Sequence, residues 1–167
     1  MITERIAIGL VVARRKLSGP WASHRWLAVA VLAAPPGAAA WTRLPGEPGD
    51  ETFYAGAFEI ALHAGDTAYY RDNLESGRPS VWAALRPGAG DRVEVAGLSV
   101  DPYEGESMAL VEGDAVEALA MPAELARRVA AFVAAHHVER AFFKRERKRA
   151  DPEALARRAP IAPDDDE

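Results

Sequence analysis

The chain has 167 residues, of which 49% are hydrophobic and 27% charged, with a net charge of −5 and no cysteine. That size and composition fit one soluble globular domain with a tail, long enough to bury a core without staples. The missing cysteines exclude disulfides, thiolate metal sites and thiol nucleophiles, and they fit a reducing compartment.

The N-terminal MITERIAIGLVVARRK places Glu4 and Arg5 first and ends a short apolar run with Arg14-Arg15-Lys16. That order does not match a secretory signal, and no apolar run approaches the roughly 20 residues that span a bilayer. The expectation is a cytoplasmic, soluble protein. Ile6, Ile8, Leu10 and Val12 alternate with Ala7, Gly9, Val11 and Ala13, which predicts a first strand. Trp26 to Leu32 predicts a second, with Leu27, Val29 and Val31 on one side. Between them RRKLSGPWASHRW is punctuated by Gly19-Pro20, so the unit is a hairpin with a long connection.

Ala33 to Asp50 is a loop by composition, pinned by Trp41 and Leu44. Thr52 to Leu62 is a strand with Tyr54, Phe58, Ile60 and Leu62 on one face and a bulge or close approach at Gly56. Asp66 opens a helix that its carboxylate can cap, and Gly77 and Pro79 end it. Ser80 to Arg86 and Arg92 to Val100 form an antiparallel pair around the turn PGAGD. Asp101-Pro102-Tyr103-Glu104 starts a short helix by capping, and that helix is expected to end near Gly113. Ala115 to Ala120 reads as an edge strand. The helix from Pro122 to His136 carries Leu125, Val129, Phe132, Val133 and His136 as one stripe.

The expected fold class is therefore α+β. A mainly antiparallel sheet of about six strands carries two or three helices, the last of them packed on the sheet. Residues 1–143 form a single domain, and 144–167 form a charged, disordered tail.

The candidate binding residues are Arg14, Arg15, Lys16, Trp21, His24, Arg25 and Trp26. Guanidinium groups grip carboxylates or phosphates, indoles offer large apolar faces, and both are enriched in binding hot spots. The competing reading is that Trp21 and Trp26 cover the open end of the sheet with the charges solvated around them. His24 has no neighbouring carboxylate to orient it as a general base, and a histidine bonded to backbone is the simpler reading. His136 and His137 point about 100° apart on a helix, which disfavours a shared metal, so no metal site is expected.

Lys144, Arg145, Arg147, Lys148 and Arg149 form a basic run. It is either a secondary contact for phosphate backbone or an acidic partner, or a solvated helix end. The overall acidity disfavours nucleic acid. Phosphate-loop, nucleophile-elbow and zinc-protease motifs are all missing from the sequence.

Five collinear blocks carry a resemblance: VVARRKLSGPWASHRW, YAGAFEIALHAGDTAYYRDNLES, VWAALR, VDPYEGE and MPAELARRVAAFVAAHHVERAFFKRERKR. From Ile6 to Arg149 the chain resembles the bacterial family called domain of unknown function 3305. The resemblance implies a gene neighbourhood beside formate dehydrogenase, a molybdenum enzyme with iron–sulfur clusters. Some relatives are linked to molybdopterin guanine dinucleotide synthesis. Such a nucleotidyltransferase needs a glycine-rich loop after its first strand, and here RRKLSGPW holds one glycine. The expected role is a non-catalytic accessory protein without a cofactor, docking on a formate dehydrogenase subunit or maturation factor. One alternative is an enzyme or carrier that binds or acts on a phosphorylated ligand such as a molybdopterin nucleotide, and another is nucleic-acid binding through the basic tail.

Overall fold

The central strand β1 (Thr3–Lys16) pairs antiparallel with β2 (His24–Leu32) on one side and with β4 (Asp50–His63) on the other. The computed structural model describes residues 1–21 and 23–139. A short β3 (Thr42–Leu44) adds to the outer edge of β4, so the first sheet runs β2-β1-β4-β3. The second sheet consists of β5 (Ser80–Pro87), flanked by β6 (Val93–Ser99) and β7 (Ala115–Ala120), both antiparallel to it. Three α-helices, α1 (Thr67–Glu75), α2 (Pro102–Met108) and α3 (Ala123–His136), complete the described fold.

The α+β class is as expected. The seven strands divide between two sheets, because α1 carries the chain from β4 to a new sheet rather than back to the edge of the first. β3 falls inside the stretch expected to be a loop; three residues are too few for alternation to register.

Two bulges shape the first sheet. Leu10 pairs with Gly56 and Val11 with Tyr54, leaving Ala55 between them. Val11 pairs with Ala30 and Val12 with Ala28, leaving Val29 between them. An extra residue shifts the alternation by one place and bends the strand. The bulge expected at Gly56 is present, and Gly56 takes a φ of 137° that a side chain rarely adopts. Its consequence corrects the expected face. Tyr54 lies with Val11, while Phe58 and Ile60 lie with Ile8 and Ile6, because opposed residues share a face. The second bulge corrects β2 in the same way: Ala28 and Val31 are buried and Val29 is exposed.

The core collects Ile6, Ile8, Leu10 and Val12 from β1 with Ile60 and Leu62 from β4. Val81, Ala83 and Leu85 join from β5. Helix α3 closes it with Leu125, Val129 and Phe132, the first three residues of the expected stripe, while Val133 and His136 are half-buried. Each buried valine, leucine, isoleucine or phenylalanine of this set contributes about 1.5–3 kcal/mol. Phe132 meets Tyr70 of α1 with ring centroids 6.4 Å apart, and Arg128 reaches Glu4 at 3.2 Å.

The helix starts differ. The Asp101 carboxylate accepts from the backbone N–H groups of Tyr103 at 2.8 Å and Glu104 at 3.4 Å, as expected. Glu104 does not reach back directly. The Ser99 hydroxyl donates to Glu104 and accepts from the Asp101 N–H, relaying the capping box through one side chain. Asp66 makes no capping bond; a 3-10 turn, Ala64–Asp66, leads into α1, and the Thr67 hydroxyl donates to the Ala64 carbonyl at 3.2 Å. Helix α2 ends at Met108, five residues before Gly113. Among the described residues no helix is long and apolar enough to cross a membrane.

Candidate binding cleft at the end of the first hairpin

The seven candidate residues sit at and beside the connection of β1 and β2, where the Leu17 N–H donates to the Ser23 carbonyl at 3.1 Å. The ladder continues past Lys16, and its register decides which side chains meet. Arg14 pairs with Trp26, Arg15 with Arg25, and Lys16 with His24. Residues opposite one another share a face and successive residues alternate. Arg14, Lys16, His24 and Trp26 therefore extend the core-facing side of Val12 and Ala28, while Arg15 and Arg25 lie on the other. The stretch is two surfaces back to back, with Trp21 at the tip.

Each arginine of the stretch meets an acid of this chain. Arg14 forms an ion pair with Asp91, and its Nε lies 3.0 Å from Glu51. That Nε is enclosed and lacks an aligned hydrogen bond. Arg15 grips Asp50 with two bonds of 3.0 and 2.9 Å. Their hydrogen bond raises the Arg15 pKa and lowers that of Asp50. Arg25 donates to Glu117 of β7 at 3.0 Å, tying the two sheets together. His24 bonds to side chains rather than to backbone: its Nδ1 lies 3.0 Å from the Ser23 hydroxyl and its Nε2 3.4 Å from Arg14. Among the described residues no carboxylate bonds to it.

The tryptophans part company. Trp21 is 95% exposed. Trp26 is half-buried against Trp41 and Phe53, with ring centroids 5.6 and 5.8 Å away. The three aromatics wall a cleft of about 560 Å³, closed on the far side by Arg14 and by Ala89, Gly90, Asp91 and Arg92 of the β5–β6 turn. The Arg92 guanidinium lies over Trp41, 5.0 Å from the ring centroid, a favourable cation–π arrangement. A neighbouring hollow of about 310 Å³ shares Trp26 and the turn and opens between Leu85, Val93 and Ala115. Both volumes lie within the range of small-molecule sites.

Trp41 has a φ of 69° and is the only residue other than glycine with a positive φ among the described residues. A bulky side chain in that region is strained, and such strain persists only where the surroundings hold it. Phe53, Trp41, Asp91 and Arg92 were not legible as site residues. The sequence shows Trp41 only as a loop pin and Arg92 only as the residue after a turn.

The cleft thus combines flat apolar walls with two guanidinium groups and one carboxylate. Elsewhere, His137 sits between Thr67 at 3.1 Å and Arg71 at 3.2 Å, while His136 packs on Phe132 with centroids 4.6 Å apart. The two histidines point to different neighbours. Among the described residues no cluster of three histidine, cysteine or acidic side chains could hold a metal. The basic run at Lys144, Arg145, Arg147, Lys148 and Arg149, and the expected tail, lie outside the described residues.

No curated protein and no solved structure matches the chain. A family model described as "Protein of unknown function (DUF3305)" matches residues 7–148, a span that takes in both sheets but for the first four residues of β1, the helices α1 to α3 and every wall of the cleft. The chain belongs to the DUF3305 family.

Proposed function

We propose that this protein is a non-catalytic accessory protein that docks on another protein through the tip of the β1–β2 hairpin. The observation that carries the reading is Trp21, which stands almost fully in solvent in the connection of β1 and β2, where Lys16 and Leu17 are exposed too. An exposed indole at the end of a hairpin is suited to fill a pocket on a partner, and tryptophan is among the residues that dominate interface energies. Arg14, Arg15 and Arg25 support the tip. Their ion pairs to Glu51, Asp91, Asp50 and Glu117 hold the hairpin in one shape, which lowers the ordering cost of association. The partner we propose is a subunit or maturation factor of a formate dehydrogenase-type molybdoenzyme, the pathway that the family resemblance implies. The test is binding of the full chain to purified subunits and maturation factors of such an enzyme. Trp21→Ala with Lys16→Ala should weaken binding about thirtyfold, the equivalent of about 2 kcal/mol. Unchanged affinity in the double variant overturns the hairpin assignment, and no binding of wild type to any of these proteins overturns the partner.

The cleft favours a second reading, a small ligand with a flat ring and an anionic group, such as a phosphorylated heterocycle. Trp26, Trp41 and Phe53 offer the ring its faces, and Arg92 meets no acid among the described residues. Titration of nucleotides and pterins against tryptophan fluorescence tests it. Saturable quenching that weakens at least tenfold in Arg92→Ala supports this reading, and an unchanged spectrum at millimolar ligand sinks it.

A further inference from the structure

The charges of this protein are paired unevenly over its surface. On the strands and on α3, Arg14, Arg15, Arg25, Arg86 and Arg128 each meet an acid of the same chain. Among the described residues the acids of α1 and α2 have no such partners, as is also true of Glu94 on β6 and Glu124 on α3. Among the described residues Asp66, Asp72, Glu75 and Glu106 pair with no cation, although Arg71 and Arg78 share the face. Arg71 turns instead toward His137 and Glu139.

The same face exposes two tyrosines. Tyr69 of α1 and Tyr103 of α2 meet edge to face with centroids 4.9 Å apart, and they are 41% and 56% exposed. Beside them a groove of about 300 Å³ runs along the seam of the two helices. Its charged walls are Asp72, Glu106 and Arg78, with Tyr103 and Trp82 as its aromatic ones. Carboxylates beside open tyrosine faces suit a ligand bearing guanidinium or ammonium groups, since arginine pairs with the acids and stacks on the rings.

The densest cationic run in the sequence is Lys144–Arg149, with five basic residues in six. It begins five residues after Glu139, and the chain passes Glu139 beside α1: Val138 and Glu139 line one hollow together with Tyr69 and Arg71. Five residues span up to about 17 Å, more than the roughly 10 Å width of a helix. The run therefore starts within reach of the seam.

We propose that the α1–α2 face is the intramolecular docking surface of the basic run Lys144–Arg149, with Asp72, Glu106 and the Tyr69–Tyr103 pair as its receiving groups. Charge complementarity and chain reach select this occupant. Docked in this way, the run is withheld from outside polyanions, and a partner that engages it must first compete with the chain's own acids.

The natural chain has no cysteine, so Arg147→Cys provides a unique site for a nitroxide spin label on the full-length protein. Paramagnetic broadening of backbone amide signals is then read residue by residue. The expected result is broadening centred on residues 69–76 and 102–107. It should fall at least threefold when salt rises from about 0.01 to 1 M and the screening length shortens from about 30 to about 3 Å. It should fall similarly in Asp72→Asn with Glu106→Gln, two surface changes that leave the fold intact. Broadening centred elsewhere, or unchanged by neutralising those acids, overturns the proposal. So does broadening transferred to isotope-labelled, nitroxide-free copies in a mixed sample, because the occupant is then a second copy.

Discussion

Trp26 and Trp41 meet edge to face, with ring centroids 5.6 Å apart and planes inclined by 84°, and Trp41 holds this position at a φ of 69°. The left-handed backbone is unfavourable for any residue with a Cβ, so the aromatic contacts with Trp26 and Phe53 offset a local cost. Removing the indole should destabilise the protein by about 2 kcal/mol. The two ways of removing it should differ. Trp41→Gly relieves the backbone and Trp41→Ala does not, so the glycine variant should be the more stable by about 1 kcal/mol. Urea unfolding of both variants checks the order; an alanine variant as stable as the glycine variant refutes the strain.

Gly105 lies in α2 against Trp82 of β5. A Cβ placed there would stand 2.2 Å from the indole Cγ, so the helix sits on the strand at a distance that only glycine permits. On helix propensity alone Gly105→Ala should gain up to about 1 kcal/mol. The clash reverses the sign, and a loss of about 1–3 kcal/mol is expected. Trp82→Ala made together with Gly105→Ala should recover the clash component, measured as a positive coupling in a double-mutant cycle.

Asn73 is buried and uses its whole amide. Its Nδ2 donates to the carbonyls of Ser80 and Val100, each at 2.8 Å, and its Oδ1 accepts from the Ser80 N–H at 2.9 Å. One side chain thus binds α1 to the start of β5 and to the segment before α2. Asn73→Ala leaves these backbone groups without partners and should cost about 2–4 kcal/mol. Asn73→Asp should cost at least as much, because an acceptor oxygen then faces two carbonyls. Thermal unfolding of the two variants at neutral pH provides the test.

Acid stability should reflect two opposite shifts. Asp50 and Asp114 are held below the ordinary carboxylate value of 3.8 by their hydrogen bonds to Arg15 and Arg86. A lowered pKa contributes stability above the unfolded value, and that contribution is lost as pH falls through the folded value. Asp101 is raised, because burial disfavours its charge more than the Tyr103 and Glu104 N–H groups offset it. Its contribution is greatest below 3.8 and declines as pH rises through its folded value. Urea midpoints between about pH 2.5 and 7 separate the cases. Asp50→Asn and Asp114→Asn should lie further below wild type at pH 7 than at pH 2.5. Asp101→Asn, which keeps an acceptor for the helix start, should improve relative to wild type as pH rises. The same trend in all three variants would contradict this assignment.

Much of the fold was legible in short-range patterns. The alternation of Ile6, Ile8, Leu10 and Val12 named the core face of β1, and all four are fully buried. The Asp101 cap and the Leu125, Val129 and Phe132 stripe are local regularities of a helix and its first turn. The candidate stretch was also visible as unusual composition. Its division into two faces, with Trp21 outside and Trp26 in a wall, was not.

Sequence by itself determined the class of fold, most strand and helix positions, and the presence of a dense cationic and aromatic segment, because each depends on residues within a few places of one another. Tertiary structure alone decided where those residues point and what they meet. The bulges at Ala55 and Val29 exist only relative to the strands opposite. Arg14 finds Asp91 across 77 positions, and Arg25 finds Glu117 across 92. Trp26, Trp41, Phe53 and Arg92 become one cleft only when the end of the first sheet meets a turn of the second. Side-chain periodicity is a property of one strand, whereas register and charge pairing are properties of two, and chain folding brings the second to the first.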